Sequence, residues 1–95
     1  MNNGSRNNIE ELAKILAAIE NPELIKSFLE CLFTSHELEE VDGRWELVKM
    51  LARGVSQRRI AEELHMSLCK ITRGSRELQK EDSAFKRVLE EYLRP

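Results

Sequence analysis

Residues 56–78 read SQRRIAEELHMSLCKITRGSREL, and their pattern predicts a helix-turn-helix. Ile60 and Leu64 are four residues apart and therefore share one face of a short first helix. His65 falls at the turn, and Ser67 is a good N-cap for the second helix. The stretch thus contains two helices joined by a short turn.

The second helix of this motif has a polar, basic outer face. Ile71 and Leu78 are seven residues apart and point back towards the core. A basic helix capped at its start suits insertion into the major groove of DNA. An ordinary corner between two packed helices is the alternative. The residues predicted to face outward are Cys69, Lys70, Thr72, Arg73 and Arg76.

The charge of the chain is unevenly distributed. The formal net charge is −2, but residues 1–52 carry −5, residues 53–80 carry +4 and residues 81–95 carry −1. The positive charge therefore coincides with the predicted helix-turn-helix, where contacts to phosphate would need it. An evenly solvated charged surface would not predict this segregation.

Length and composition favour one small helical domain. The chain has 95 residues, of which 41% are hydrophobic and 34% are charged, with only two prolines and four glycines. Residues 1–7 are polar and predict a disordered arm, so the single domain spans residues 8–95. Neither a signal peptide nor a membrane span is recognised, and we expect a cytoplasmic protein.

Two helices are predicted before residue 34. Asn8 can cap the first helix together with Glu11, in a capping-box pattern, and the helix runs to about Glu20. Pro22 fits the first turn of the second helix. That helix is apolar on most sides and includes Cys31, which we expect to be a small core residue. So much apolar surface on so short a chain usually marks an interface.

A third helix and a last one complete a set of six. Thr34 or Ser35 caps the third helix, which runs through Gly43 and ends at Gly54. A break near Gly43 is the alternative. Ser83 caps the last helix. The predicted buried face of the third helix consists of Leu38, Val41, Trp45, Val48 and Leu51.

No catalytic or metal-binding arrangement is evident. His36 and His65 are far apart, no glycine-rich phosphate loop follows a strand, and neither Cys31 nor Cys69 has metal-ligand spacing. The sequence therefore does not predict an enzyme.

The stretches SQRRIAEEL and ITRGS resemble the tryptophan repressor family. Upstream, CLFTSHELEEVDGRWELVKMLARG matches that family in helix length and order, so the resemblance covers residues 28–78. It implies an all-α, six-helix intertwined homodimer whose first three helices interlock with those of the partner. Its recognition helices would lie about 34 Å apart on a palindromic operator in double-stranded DNA. The resemblance also implies a transcriptional repressor with L-tryptophan as corepressor and no other cofactor.

The resemblance implies two sets of site residues. On the sequence alone, Arg44 would be expected to form a surface salt bridge with Glu40, and the resemblance reverses that expectation. Arg58 is the predicted contact to a guanine edge. A glycine within a helix costs about 1 kcal/mol, and Gly74 is explained by a closely packed helix or a flat ligand. The implied ligand-binding residues are Arg44, Arg73, Thr34, Cys31, Phe33, Val48, Gly74 and Glu77, and the implied DNA-binding residues are Ser56, Gln57, Arg58, Leu68, Cys69, Lys70, Thr72 and Arg73.

This chain departs from the family pattern at several positions. Lys70 replaces a small hydroxyl residue, and Ala61 removes a basic contact that Arg59 could replace. Glu77 stands where a small residue often lines the ligand pocket, and it could either accept the tryptophan ammonium or crowd the site. Two alternatives to the tryptophan repressor therefore stay open. One is a DNA-binding dimer with another effector or none, and the other is a protein-interaction module whose basic segment is incidental.

Overall fold

The computed structural model describes residues 7–95, and over that range all regular secondary structure is helical. This confirms the all-α fold with a helix-turn-helix. The chain divides into two compact units between Leu38 and Glu39, and each is described by itself below. The helices are α1 (Asn8–Ala18), α2 (Pro22–Leu32), α3 (Ser35–Ala52), α4 (Gln57–Leu64), α5 (Leu68–Gln79) and α6 (Ala84–Leu93).

The start of α1 differs from the prediction by one residue. The predicted arm at residues 1–6 lies outside the described residues, whereas Asn7 is described and occupies the N-cap position. Asn8 is the first helical residue, so its assignment as the cap was wrong. The side chain of Asn7 makes no capping hydrogen bond, and the backbone N–H of Glu11 donates to the Asn7 carbonyl over 2.9 Å. Adjacent asparagines have equal capping propensity, and the sequence could not separate them.

Two neighbouring residues determine where α2 begins. The Asn21 side-chain oxygen accepts hydrogen bonds from the backbone N–H groups of Glu23 and Leu24, over 3.0 and 3.2 Å. Pro22 occupies the first helical turn, as predicted, because its missing N–H would be unpaired there in any case. Both features end the preceding chain segment and fix the direction of α2.

Neither α1 nor α2 buries a residue within this chain. Ile9 is 80% exposed, and Leu24 is 52% exposed. The prediction that Cys31 is a core residue was wrong for the single chain, since its thiol is exposed. It lies on α2, a helix without a buried residue, so apolar neighbours in sequence did not place it in a core.

A capping box begins α3. The Thr34 hydroxyl oxygen accepts a hydrogen bond from the Glu37 backbone N–H over 3.1 Å, and a Glu37 carboxylate oxygen accepts one from the Thr34 N–H over 2.9 Å. Two N–H groups that the helix cannot satisfy are thereby paired. Thr34, rather than Ser35, is therefore the cap.

Replacing Thr34 with alanine is expected to lower the free energy of unfolding by about 1 kcal/mol, the usual cost of removing an N-cap hydroxyl. Urea unfolding at fixed protein concentration measures this change. Ser35→Ala is the control, because Ser35 is the first helical residue and not the cap. Equal losses in the two variants would contradict the role of the capping box.

The third helix is continuous through Gly43 and ends where predicted. Gly54 has a φ of +84°, and its N–H donates to the Leu51 carbonyl while the Val55 N–H donates to that of Met50. This is the Schellman arrangement, in which a left-handed residue pairs the last carbonyls of a helix. A Cβ atom at Gly43 would lie 3.4 Å from the terminal methyl of Met66, an ordinary van der Waals contact, so the turn packs against α3 at this position.

The helix-turn-helix is formed by α4 and α5, as predicted. Ser56 caps α4 through the Arg59 N–H, and Ser67 caps α5 through the Lys70 N–H. Between the helices, His65 adopts a left-handed conformation with φ of 52°. A residue in that conformation ends a helix and redirects the chain, and residues other than glycine adopt it rarely.

The core joins the C-terminal half of α3 to the helix-turn-helix. Ile60 and Ile71 are fully buried, and they form one cluster with Leu47 and Met50. The predicted buried face of α3 was partly wrong, because Val41 is 44% exposed. All buried residues of α3 lie in its C-terminal half, where the helix-turn-helix packs, whereas Val41 lies in its N-terminal half.

The last helix packs against α5. The Ser83 hydroxyl caps it by accepting the Lys86 N–H over 3.3 Å, as predicted. Trp45 of α3 meets Tyr92 of α6 edge to face, with ring centroids 5.7 Å apart. Three apolar side chains of α6 are more than half exposed within this chain, namely Val88, Tyr92 and Leu93.

Candidate ligand cleft and DNA-binding surface

A cleft of about 310 Å³ lies between α3, α5 and the start of α6. Its volume is at the lower end of the range that small-molecule sites occupy. Apolar side chains share its walls with four charged ones. The lining residues are Arg44, Leu47, Val48, Lys70, Arg73, Gly74, Glu77 and Phe85.

Helical spacing explains how these residues come together. Positions 44, 47 and 48 are separated by three and four residues along α3, and positions 70, 73, 74 and 77 repeat that spacing along α5. Residues three and four apart occupy the same face of a helix. Each helix thus presents one face to the cleft.

Gly74 permits α5 to lie close to α3. A Cβ atom at this position would be 3.0 Å from the Leu47 Cδ2 atom, closer than such contacts normally are. Leu47 is only 2% exposed and has little room to move. Close helix packing therefore accounts for a glycine in the middle of α5, which was one of the two explanations predicted.

The cleft gathers five of the eight residues implied as ligand-binding: Arg44, Val48, Arg73, Gly74 and Glu77. The other three lie in the N-terminal unit and do not line it. Among them, the Thr34 hydroxyl is engaged in the α3 cap, Phe33 is half-buried and Cys31 is exposed. A ligand role for these three stays a prediction.

Sequence reasoning missed three lining residues. Leu47 lies three residues after Arg44, and that spacing could have identified it. Lys70 was assigned only to the DNA-binding surface. Phe85 had no local signal, because its place in the cleft depends on how α6 packs against α5.

The charged lining residues differ in their partners. The Lys70 ammonium pairs with the Glu40 carboxylate of α3 over 3.3 Å, and Glu77 pairs with Lys80. Arg44 and Arg73 form no ion pair among residues 7–95, so the salt bridge between Arg44 and Glu40 that the sequence alone favoured is not formed. The cleft therefore offers two guanidinium groups to a carboxylate or an aromatic ring.

The proposed DNA-binding residues lie at the starts of α4 and α5. Thr72 donates a hydrogen bond from its hydroxyl to the Gln57 side-chain oxygen over 3.3 Å, which ties the two helices together. This contact leaves Thr72 half-buried, whereas it was predicted to face fully outward. Residues of this set that are exposed include Ser56, Gln57, Arg58, Leu68, Cys69, Lys70 and Arg73.

Two adjacent arginines on α4 are in different situations. The Arg59 guanidinium donates to a Glu63 carboxylate oxygen over 2.6 Å, and this hydrogen bond raises the pKa of Arg59. Arg58 is exposed and has no ion pair among residues 7–95. Arg58 is therefore the more available of the two for an external partner.

Other kinds of site receive no support from the described residues. Over residues 7–95, no group of three or more His, Cys, Asp or Glu side chains is placed to hold a metal ion. In the same range, every helix is too short or too polar to cross a membrane.

The fold and the exposed basic helix define a class of protein, the helix-turn-helix DNA-binding proteins. The model of the Trp repressor protein family matches residues 7–93, and the chain belongs to that family. This is a family of transcriptional repressors and not of enzymes. No solved structure gives a significant match to the chain.

Curated relatives are named as Trp operon repressor homologs. The chain is 38% identical to one from Xylella fastidiosa (strain M23) over 71 residues, covering 74% of this chain and 77% of the relative. It is 32% identical to one from Chlamydia caviae over 85 residues, covering 88% and 84%. A relative from Chlamydia trachomatis serovar D is 25% identical over 94 residues, covering 98% of this chain and all of the relative.

Proposed function

We propose that this protein represses transcription by binding a palindromic operator when L-tryptophan occupies the cleft between α3 and α5. One observation carries the proposal: Arg44 of α3 and Arg73 of α5 line the same cleft, and neither has an ion-pair partner among residues 7–95. A bound ligand with a carboxylate group would supply a negatively charged partner for these two guanidinium groups.

The chemistry of the cleft suits an aromatic amino acid. Guanidinium planes stack on an indole ring, and one guanidinium can bind a carboxylate with two hydrogen bonds. Leu47, Val48 and Phe85 contribute apolar surface for the rest of the ring. The mixture of apolar walls and a few charged groups is usual for small-molecule sites.

The cleft and the DNA-binding surface share one helix. Lys70 and Arg73 lie on α5, line the cleft and also belong to the proposed DNA-binding set. A ligand that contacts α5 more favourably in one position would shift the population of molecules towards that position. In this proposal, the position that L-tryptophan favours is the one in which α5 fits the major groove.

A homodimer would cover the apolar surfaces that the single chain leaves exposed. Ile9, Ile15, Leu24 and Leu32 are each about half exposed or more, on helices without one buried residue. Exposed apolar surface of this extent is typical of an interface. Two-fold symmetry would then present two copies of α5 to successive major grooves, about 34 Å apart.

A second candidate function is a DNA-binding dimer with a different effector or none. Glu77 favours this candidate, because its side chain lines the cleft at a position where the family often has a small residue, and it would leave less room for an indole ring. The candidate differs from the first only in what fills the cleft.

Thermal unfolding with each of the twenty amino acids at millimolar concentration separates the candidates. A ligand that binds only the folded protein stabilises it by roughly 2.7 kcal/mol at a hundredfold excess over its dissociation constant. We expect L-tryptophan alone to raise the midpoint. A rise with another amino acid would favour the second candidate, and no rise with any of them would contradict an amino-acid corepressor.

A further inference from the structure

The charges around the cleft are arranged for a ligand with two opposite charges. We propose that Glu77 determines ligand specificity, with its carboxylate accepting the α-ammonium group of an amino acid whose carboxylate lies at the arginines. The cleft would thus select a zwitterion with a large apolar side chain over the same molecule without its amino group. This inference rests on the proposed function of the cleft as an amino-acid site.

The position of Glu77 places it next to the arginine that would hold the carboxylate. Arg73 and Glu77 are four residues apart on α5, and both line the cleft. Side chains at that spacing are neighbours, with about 5–6 Å between Cβ atoms. Gly74, which follows Arg73 in sequence, also lines the cleft, and its close approach to Leu47 brings this part of α5 near α3.

The balance of charge distinguishes a zwitterion from a simple anion. Arg44 and Arg73 have no ion pair among residues 7–95 and would attract any carboxylate, whereas Glu77 is the one carboxylate among the residues that line the cleft. A ligand carrying only a carboxylate would gain from the first group and be repelled by the second. A ligand that also carries an ammonium turns that repulsion into a charge-assisted hydrogen bond.

The present partner of Glu77 can be displaced. Glu77 pairs with Lys80, three residues later, and the Lys80 side chain is 65% exposed. Exposed pairs of this kind contribute little to stability, because water competes for both charges. A ligand ammonium in the cleft would compete with Lys80 for the same carboxylate, because Glu77 also lines the cleft.

The test compares L-tryptophan with 3-indolepropionic acid, which has the same ring and carboxylate but no amino group. Dissociation constants are measured by calorimetry on the full chain, for the unchanged protein and for Glu77→Gln. We expect the unchanged protein to prefer L-tryptophan. Glu77→Gln should weaken L-tryptophan binding about tenfold, as expected for the loss of one charge-assisted hydrogen bond. The same variant should bind 3-indolepropionic acid as tightly as the unchanged protein or more tightly.

Two control variants separate ligand contact from a structural role of the ion pair. Lys80→Met breaks the same ion pair from its other end, and we expect it to keep or increase L-tryptophan affinity because Glu77 is released. Glu91→Gln removes a carboxylate from the comparable pair with Arg94, at the same spacing and outside the lining of the cleft. It should bind both ligands as the unchanged protein does.

Three results would overturn the inference. If Lys80→Met loses L-tryptophan affinity as Glu77→Gln does, the ion pair acts only through structure. If Glu77→Gln changes the affinities of both ligands equally, Glu77 does not read the ammonium. If the unchanged protein binds both ligands equally well, the cleft is an amino-acid site without this selectivity, whereas binding of neither ligand would remove the proposed function itself.

Discussion

Replacing Arg44 with alanine is expected to abolish the response to L-tryptophan and to leave the fold intact. Arg44 is exposed, and its side chain lines the cleft without an ion pair among residues 7–95. Its loss removes a charged hydrogen bond to the ligand carboxylate, worth about 1.5–3 kcal/mol, and the stacking surface as well. The affinity for L-tryptophan should therefore fall by at least about tenfold.

Two measurements on this variant check the expectation. The thermal midpoint without ligand should match that of the unchanged protein, and the rise with millimolar L-tryptophan should disappear. Weak binding to DNA at low salt should persist, because phosphate contacts do not need the ligand. Arg53→Ala is the matched control, since Arg53 follows the end of α3 and lies outside the cleft lining. A full response to L-tryptophan in Arg44→Ala would exclude this cleft as the corepressor site.

Replacing Ile71 with alanine is expected to cost about 2–5 kcal/mol of the free energy of unfolding. Ile71 is fully buried and packs in one cluster with Ile60 and with two residues of α3. Truncation would leave a cavity where the helix-turn-helix meets its scaffold, and close-packed surroundings relax only partly around it. A loss of this size is a large part of the stability of a small domain.

Urea unfolding measures this cost, at one fixed protein concentration because an oligomer's stability depends on concentration. Leu68→Ala on the same helix is the control. Leu68 is 57% exposed, so its truncation should change the free energy of unfolding by less than about 0.5 kcal/mol. Similar costs for the two variants would contradict the assignment of Ile71 to the core.

The helix ends were predictable because they depend on local chemistry. Ser56 and Ser67 cap the helices that follow them, and Gly54 takes the left-handed conformation that ends α3. Each of these roles is fixed by residues within one helical turn. Asn8 shows the limit of this approach, since its neighbour Asn7 takes the N-cap position instead.

The buried surfaces were less predictable because they depend on distant parts of the chain. Val41 and Leu47 are both apolar residues of α3. Only Leu47 is buried, because the helix-turn-helix packs against it. Cys31 has apolar neighbours in sequence, yet its side chain is exposed on a helix without a buried residue. The sequence pattern of one chain does not specify which of its apolar faces another molecule covers.

The candidate site came from two sources of different strength. The basic outer face of α5 followed from the residues themselves, whereas the pairing of Arg44 with Arg73 followed from the family resemblance. On the residues alone, Glu40 was the expected partner of Arg44. Lys70 pairs with Glu40 instead, over a separation of 30 residues that no local pattern indicates.

Selection of DNA from a random duplex pool, with and without L-tryptophan, tests the central claim most directly. The claim is that filling the cleft produces sequence-specific binding by a two-fold dimer. We predict enrichment of a palindrome only with L-tryptophan, with half-site centres about one helical turn, or a multiple of it, apart. Arg58→Ala should then relax the preference at one guanine in each half-site. Equal enrichment without L-tryptophan, or no retained DNA even at low salt, would contradict the account.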